Sequence, residues 1–223
     1  MEEELFTPYT KQMSYIQSHL FHFTPQYENV CLVTDEKADT IGNFGSVGGG
    51  PGELNDWAYF SGTSISQDTI YMYDTRTLRV FPYHVNIASN KVNYSVSDSV
   101  RKLKEKATPE GLKSSGIYKL RRLQNGYYVG LRMLSKKDMF TLFDSNLNEV
   151  ARFGEYPIAN VLQNDMDHFT TYFDGYMETC VNSFYFGIRR FAYMARYDIS
   201  DDGKVTKAWD GFYAKVACRE ENN

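Results

Sequence analysis

Four groupings in the sequence carry residue types and spacings that could do chemistry. His19 and His22 form an H-x-x-H pair, which on a helix would turn two imidazoles towards one metal. In SHLFHF, however, Leu20, Phe21 and Phe23 read as a strand, and strand residues three apart point to opposite faces. The stretch GSVGGGPGEL, residues 45–54, has the glycine density of a phosphate-cradling loop. It lacks the Gly-Lys-Ser/Thr ending and leads into a strand, so it reads as a tight connection with Pro51 fixing one turn. Asp165, Asp167 and His168 sit together in NDMDHF, too few ligands for a calcium shell, and read as a solvated loop. DISDDGKV, residues 198–205, echoes a calcium loop but has Trp209 at the twelfth position, so a hairpin turn on Asp202-Gly203 is expected.

The remaining reactive types are scattered. Cys31, Cys180 and Cys218 are too far apart for a C-x-x-C pair and read as small buried or half-buried thiols. His19, His22, His84 and His168 do not recur at any common spacing, and no Ser/His/Asp or Cys/His grouping stands out. Asp144 and Asp198 each follow an aromatic at the end of an apolar run, which predicts Asx turns. Arg101, Lys102, Lys104 and Lys106, with Arg121 and Arg122, are interspersed among 28 acidic residues and read as solvated faces. The expectation is therefore no catalytic, cofactor-binding or metal-ligating residue, and no cofactor.

Positioning elements follow from composition and repeat. The chain has 223 residues, 42% hydrophobic and 23% charged, an ordinary globular balance. Its net charge of −4 argues against a general affinity for nucleic acid, and no apolar run is long enough for a transmembrane helix. Glu2, Glu3 and Glu4 stand where a signal peptide would be basic, so no export signal is expected. Aromatic residues reach 16%, a composition that favours strands. Only residues 98–107 and the start of residues 1–20 offer short helical stretches.

Internal similarity organises the chain. NGYYVGLR at 125–132 matches NSFYFGIR at 182–189, an offset of 57, and the same step back from Gln124 reaches Gln67 ahead of IYMYD. Tyr71, Tyr128 and Tyr185 then correspond. Further strands precede and follow each copy: WAYFSGTSI, GIYKLRRL and GYMETCV in front, with MFTLFD, EVARF, YMARYD and KVTKAW behind. Four strands joined by hairpins make a propeller blade, so an all-β, propeller-like chain of three to four antiparallel blades is expected, with a β-sandwich as the alternative. One domain over 1–223 would comprise N-terminal strands and a Gly-rich turn at 14–56 and blades at 57–97, 116–156 and 175–213. Tyr127, Val129 and Leu131 should share one face, with Tyr128, Gly130 and Arg132 on the other. Gly130 and Gly187 would leave room for an aromatic ring from the next blade.

TIGNFGSVGGGPGEL at 40–54, followed by DTIYMYDTRTLRVF at 68–81, resembles the TolB-like six-bladed propeller proteins of anaerobic gut bacteria. Gly42, Phe44, Gly45, Gly48, Gly50, Pro51, Gly52 and Glu53 carry the G-x-F-G and G-x-GPGE phrases, and Tyr73 with Asp74 the strand end. The resemblance implies a propeller, often exported to the periplasm or cell surface, with no established activity. This chain has no lipobox cysteine and is short for six blades. An incomplete ring predicts self-association that closes the propeller, or a fragment of a longer protein. The functional expectation is a non-catalytic binding or scaffold module for a protein or glycan, with a metal-assisted hydrolase or lyase at the propeller channel as the alternative.

Overall fold

The computed structural model describes residues 12–23, 29–50, 52–55, 58–106, 116–132, 138–157, 175–188 and 192–212. All regular structure among them is β-strand, arranged as four antiparallel sheets in chain order. Sheet 1 holds β1 (Gln12–Ile16), β2 (His19–Phe23), β3 (Asn29–Thr34) and β4 (Thr40–Ser46). Sheet 2 holds β5 (Ala58–Thr63), β6 (Thr69–Asp74), β7 (Arg79–Ala88) and β8 (Lys91–Val96), with the two-residue β9 (Arg101–Lys102) also on β7. Sheet 3 holds β10 (Ile117–Arg122), β11 (Tyr128–Arg132), β12 (Phe140–Phe143) and β13 (Glu149–Phe153). Sheet 4 holds β14 (Gly175–Cys180), β15 (Ser183–Ile188), β16 (Tyr193–Ile199) and β17 (Val205–Phe212). Four meandering sheets in sequence are the blades of a β-propeller-like fold.

The two expected helical stretches are strands where they are described. Residues 12–20 form β1 and the start of β2, while residues 1–11 lie outside the described residues. Residues 98–106 carry β9 and a bridge from Lys104 to Asn148. Only Val100 and Leu103 are apolar there, too little for a helical face. The free edge of β7 instead offers Arg79 and Val80 as ladder partners.

Each seam between neighbouring sheets has its own core, built by strand alternation. Phe21, Phe23, Cys31, Val33 and Phe44 of sheet 1 meet Ile70, Met72, Phe81 and Tyr83 of sheet 2. Tyr73 and Val80 of sheet 2 meet Ile117, Leu120, Tyr128 and Phe143 of sheet 3. Val129, Leu131, Phe140 and Leu142 of sheet 3 meet Met177, Phe184, Phe186 and Tyr197 of sheet 4. Among the described residues no such core joins sheet 4 to sheet 1. Their far faces expose Met13 and Tyr15 on β1, and Tyr176 and Met194 on β14 and β16, each at least 43% accessible.

The faces of β11 are as expected, since Val129 and Leu131 pack towards sheet 4 while Tyr128 packs towards sheet 2. The common offset of 57, however, does not preserve orientation. Tyr71 and Tyr128 meet edge to face across one seam, 6.3 Å between centroids, so they point in opposite senses around the arc. Tyr185 lies on the far face of sheet 4, because Phe184 and Phe186 take the seam with sheet 3. The cause is turn length. Arg122 pairs with Tyr128 across Leu123–Tyr127, whereas Cys180 pairs with Ser183 across Val181–Asn182. Those loops differ by an odd number of residues, and an odd slip exchanges the faces of a strand. The glycines likewise serve their own sheets. A Cβ at Gly130 would meet Ile117 and Phe143, and one at Gly187 would meet only Met194 and Tyr193 at ordinary contact distance.

Candidate functional site

A break in the outer strand of sheet 2 opens a cleft at its seam with sheet 3. On β7, Pro82 gives its carbonyl to Ser97 N at 2.9 Å but has no N–H to return, so the ladder stops there. It resumes at Arg101, opposite Val80. The intervening residues leave the sheet, with Ser99 N donating to Ser97 Oγ at 3.2 Å. The cleft that results encloses about 220 Å³. Sheet 2 contributes Thr69, Tyr71, His84, Ser97, Ser99 and Arg101 to its wall, and sheet 3 contributes Arg122, Gly126, Tyr128 and Ser145.

Its polar groups are held in place by their neighbours. Arg122 Nη1 donates to Thr63 O at 2.9 Å, and its guanidinium lies 4.6 Å from the Tyr71 ring centroid and 5.9 Å from that of Tyr128. Both rings thus attract the guanidinium through cation–π contacts, Tyr71 the more closely. Arg101 Nη1 donates to Ser145 O at 2.8 Å and to Asn146 Oδ1 at 3.1 Å, crossing to the opposite wall. The Thr69 hydroxyl donates to Asp68 Oδ1 at 2.9 Å, which leaves its lone pairs to His84 Nδ1 at 3.1 Å. Hydroxyls of Ser64, Ser66 and Thr69 hold the Asp68 carboxyl below its usual range. Burial pushes the Tyr128 phenol up to about 12, against a smaller opposing pull from Arg122.

Carboxylates gather elsewhere, where the connection after β9 crosses sheet 3. Arg152 clamps Glu149 with Nε and Nη2 at 2.7 and 3.0 Å, and Lys106 N donates to the same carboxylate at 2.8 Å. Glu105 stands 3.9 Å from Arg132 Nη1, with one oxygen buried and unbonded. Burial raises the Glu105 pKa, Glu149 adds to the rise, and Arg132 and Arg152 oppose it. The ionised form is therefore disfavoured in the fold, and that penalty is full at neutral pH and fades as pH falls through the raised pKa. Glu105→Gln is expected to raise Tm by about 1–3 °C at pH 7, with the gain vanishing below about pH 4. An unchanged Tm across a pH series of melts would refute this account of Glu105.

The glycine-rich stretch connects β4 to β5, and its own Glu53 fills it, accepting from Gly50 N at 2.6 Å where a phosphate would have sat. Gly45 and Gly52 have φ of 73° and 79°, and Pro51 lies outside the described residues. His19 bonds Gln17 O and His22 bonds Thr34 Oγ1, so the pair is divided. Residues 200–204 form the hairpin turn, with Gly203 at φ 81° and Lys204 N donating to Ser200 Oγ at 3.1 Å. Asp144 closes an Asx turn onto Asn146 and Asn148. Asp198 does not: it sits inside β16, accepts from Ser183 Oγ and Arg196 Nε, and Ser200 takes the turn position. Asp74 makes an Asx turn too, accepting from Arg76 N and Thr77 N.

Arg101, Lys102, Lys104 and Lys106 are exposed as expected, but Arg121 is buried and Arg122 half-buried. Arg121 is 7% accessible and donates to Phe60 O on β5 and, from Nε at 2.9 Å, to Met177 O on β14. Strand alternation turns it inward, and two carbonyls replace its water. Cys31 is buried, Cys180 is exposed at the end of β14, and Cys218 lies outside the described residues, as do Asp165, Asp167 and His168. Sequence reasoning missed the cleft set of His84, Arg101 and Arg122. Period-2 alternation marks Val80, Pro82 and His84 as one face of β7, but nothing local brings Arg101 to Arg122 across a seam.

No family model and no curated protein matches the chain. Solved structures of propeller type do. A protein of Bacteroides uniformis provisionally assigned as a 6-phosphogluconolactonase aligns with TM-score 0.52 and 12% identity, over 89% of this chain and 55% of its own. A counterpart from Bacteroides fragilis gives 0.52 and 12%, over 90% and 56%. Hsv2 of Kluyveromyces lactis gives 0.51 and 7%, over 93% and 74%. The chain thus spans little more than half the length of the two Bacteroides proteins, and at these identities the likeness is one of fold.

Proposed function

We propose that the chain is a non-catalytic binding module of propeller type, related to the TolB-like six-bladed proteins that its GPGE phrase resembles, and that it holds part of a protein or glycan at the seam of sheets 2 and 3. The observation that carries this reading is the fixing of Arg101 and Arg122 by backbone carbonyls and tyrosine rings around an accessible cleft. Donors held in place before a ligand arrives lose less freedom on binding, which is how a recognition site gains affinity. Lining groups of this kind orient a ligand: no pair of carboxylates faces the cleft, and the Thr69 hydroxyl that meets His84 already gives its proton to Asp68.

The test is a glycan array and a peptide library probed with the purified chain, followed by thermal melts with each hit. A defined set of binders that raises Tm is expected, since a ligand of the folded state stabilises it by mass action. Binding of nothing in either collection would overturn the reading. Metal-dependent turnover of a bound glycan would replace it with the hydrolase or lyase alternative.

A further inference from the structure

Resting on the binding-module reading, we propose that the cleft between sheets 2 and 3 takes an oxyanion, a carboxylate or phosphate carried by a small hydroxylated ligand. Two guanidiniums line one cavity, and neither forms an ion pair with a carboxylate among the described residues. No carboxylate lines the cavity; Asp68, beside Thr69, is exposed and holds the Ser64 and Thr69 hydroxyls on one oxygen, Oδ1. A wall with this excess of cationic donors is completed by a negative ligand.

Bond accounting shows which atoms remain for that ligand. Arg101 spends Nη1 on the protein, leaving Nε and Nη2 as a fork of the spacing that matches two oxygens of a carboxylate or phosphate; Arg122 spends Nη1 on Thr63 O and Leu123 O and a further bond on the Tyr128 hydroxyl, and its remaining N–H groups stand beside that fork. Thr69 occupies His84 Nδ1 at 3.1 Å, so Nε2 is the ring nitrogen left for a ligand hydroxyl. Ser97 and Ser99 hydroxyls, 2.7 Å apart, add partners that both donate and accept. A cavity of about 220 Å³ is below the roughly 300–1,000 Å³ of drug-sized sites, which limits the bound group to about one sugar ring or a short acid.

The experiment is calorimetric titration of the full chain with glucuronate, with glucose as its uncharged counterpart, and with inorganic phosphate. Arg101→Gln serves as the variant, because its exposed side chain anchors a turn and not a core. Binding of glucuronate or phosphate, no binding of glucose, and a loss of about tenfold or more in Arg101→Gln are expected, the scale of one charge-assisted contact. Phosphate binding alone assigns the oxyanion as a phosphoryl group, and glucuronate binding alone as a carboxylate. Equal binding of glucose and glucuronate, or an affinity unmoved by Arg101→Gln, overturns the oxyanion proposal and leaves the binding module standing on its array hits. Arg122→Lys, which keeps the charge but loses the guanidinium beside the fork, should also weaken binding; unchanged affinity there overturns the role given to Arg122.

Discussion

Arg121→Met is expected to cost the fold roughly 2–5 kcal/mol, read as a lower urea midpoint at unchanged slope. The residue sits on β10, the inner strand of sheet 3, and its guanidinium reaches both neighbouring inner strands, Phe60 O on β5 and Met177 O on β14. Burial disfavours its charge, lowering the pKa, and Glu178 at 3.9 Å is too exposed to compensate much. What holds the charge is the pair of carbonyls. Methionine fills much of the volume but donates nothing, so two buried carbonyls lose their partner at about 1–3 kcal/mol each, partly offset by relief of the buried charge. Arg121→Lys should recover less than half of the loss, because an ammonium on a flexible stem cannot span both acceptors in one geometry. A midpoint within error of the parent would show that the carbonyls find other donors and that the residue does not staple the strands.

Phe140→Ala is the second large effect, at about 3–5 kcal/mol, or a fall in Tm of roughly 6–20 °C. Its ring packs edge-on against Phe184 and Phe186 at 4.9 and 5.0 Å, and contacts Phe153 and Tyr197 at 5.3 and 5.8 Å. Truncation leaves a cavity walled by rings that are themselves fixed by the ladder, so it collapses poorly. Gly154, at φ 79°, comes so close that a Cβ there would fall 2.5 Å from the Phe140 ring. A bulkier residue at 154 would displace the same ring by a different route. Thermal melts of Phe140→Ala and Phe140→Leu should rank in that order of damage; an Ala variant within about 1 kcal/mol of the parent would mean that the seam between sheets 3 and 4 repacks freely.

The strand content and its division into sheets were legible because they depend on local rules. Alternation over YVGLR and SFYFGI, and turn residues such as Asp144 and Gly203, act within a dozen residues of each other. The sheet-1 strands were legible only as fragments, since HLFHF and NVCLVT lack the repeated phrase of the later blades. Orientation around the arc was not legible. It depends on the odd difference between two turn lengths, which a match of NGYYVGLR to NSFYFGIR conceals. The cleft was hidden for a different reason: Pro82 breaks a ladder whose partner lies fifteen residues on, and Arg101 meets Arg122 only because two sheets abut. Arg121 and Arg122 looked like one solvated pair, yet adjacent positions on a strand face opposite ways, one into the inner seam and one onto tyrosine rings.

Because each described core lies between one sheet and the next, stability in this molecule is close to a chain of nearest-neighbour couplings. In such a chain a terminal unit gives up only one coupling when it opens, while an interior unit must give up two. Sheets 2 and 3 each have a described core on both sides, and β10 is the strand of sheet 3 that reaches both of its neighbours. Arg121 ties both flanks of that strand at once, so the two inner couplings are not independent of each other. Sheets 2 and 3 would then behave as one cooperative block in amide exchange.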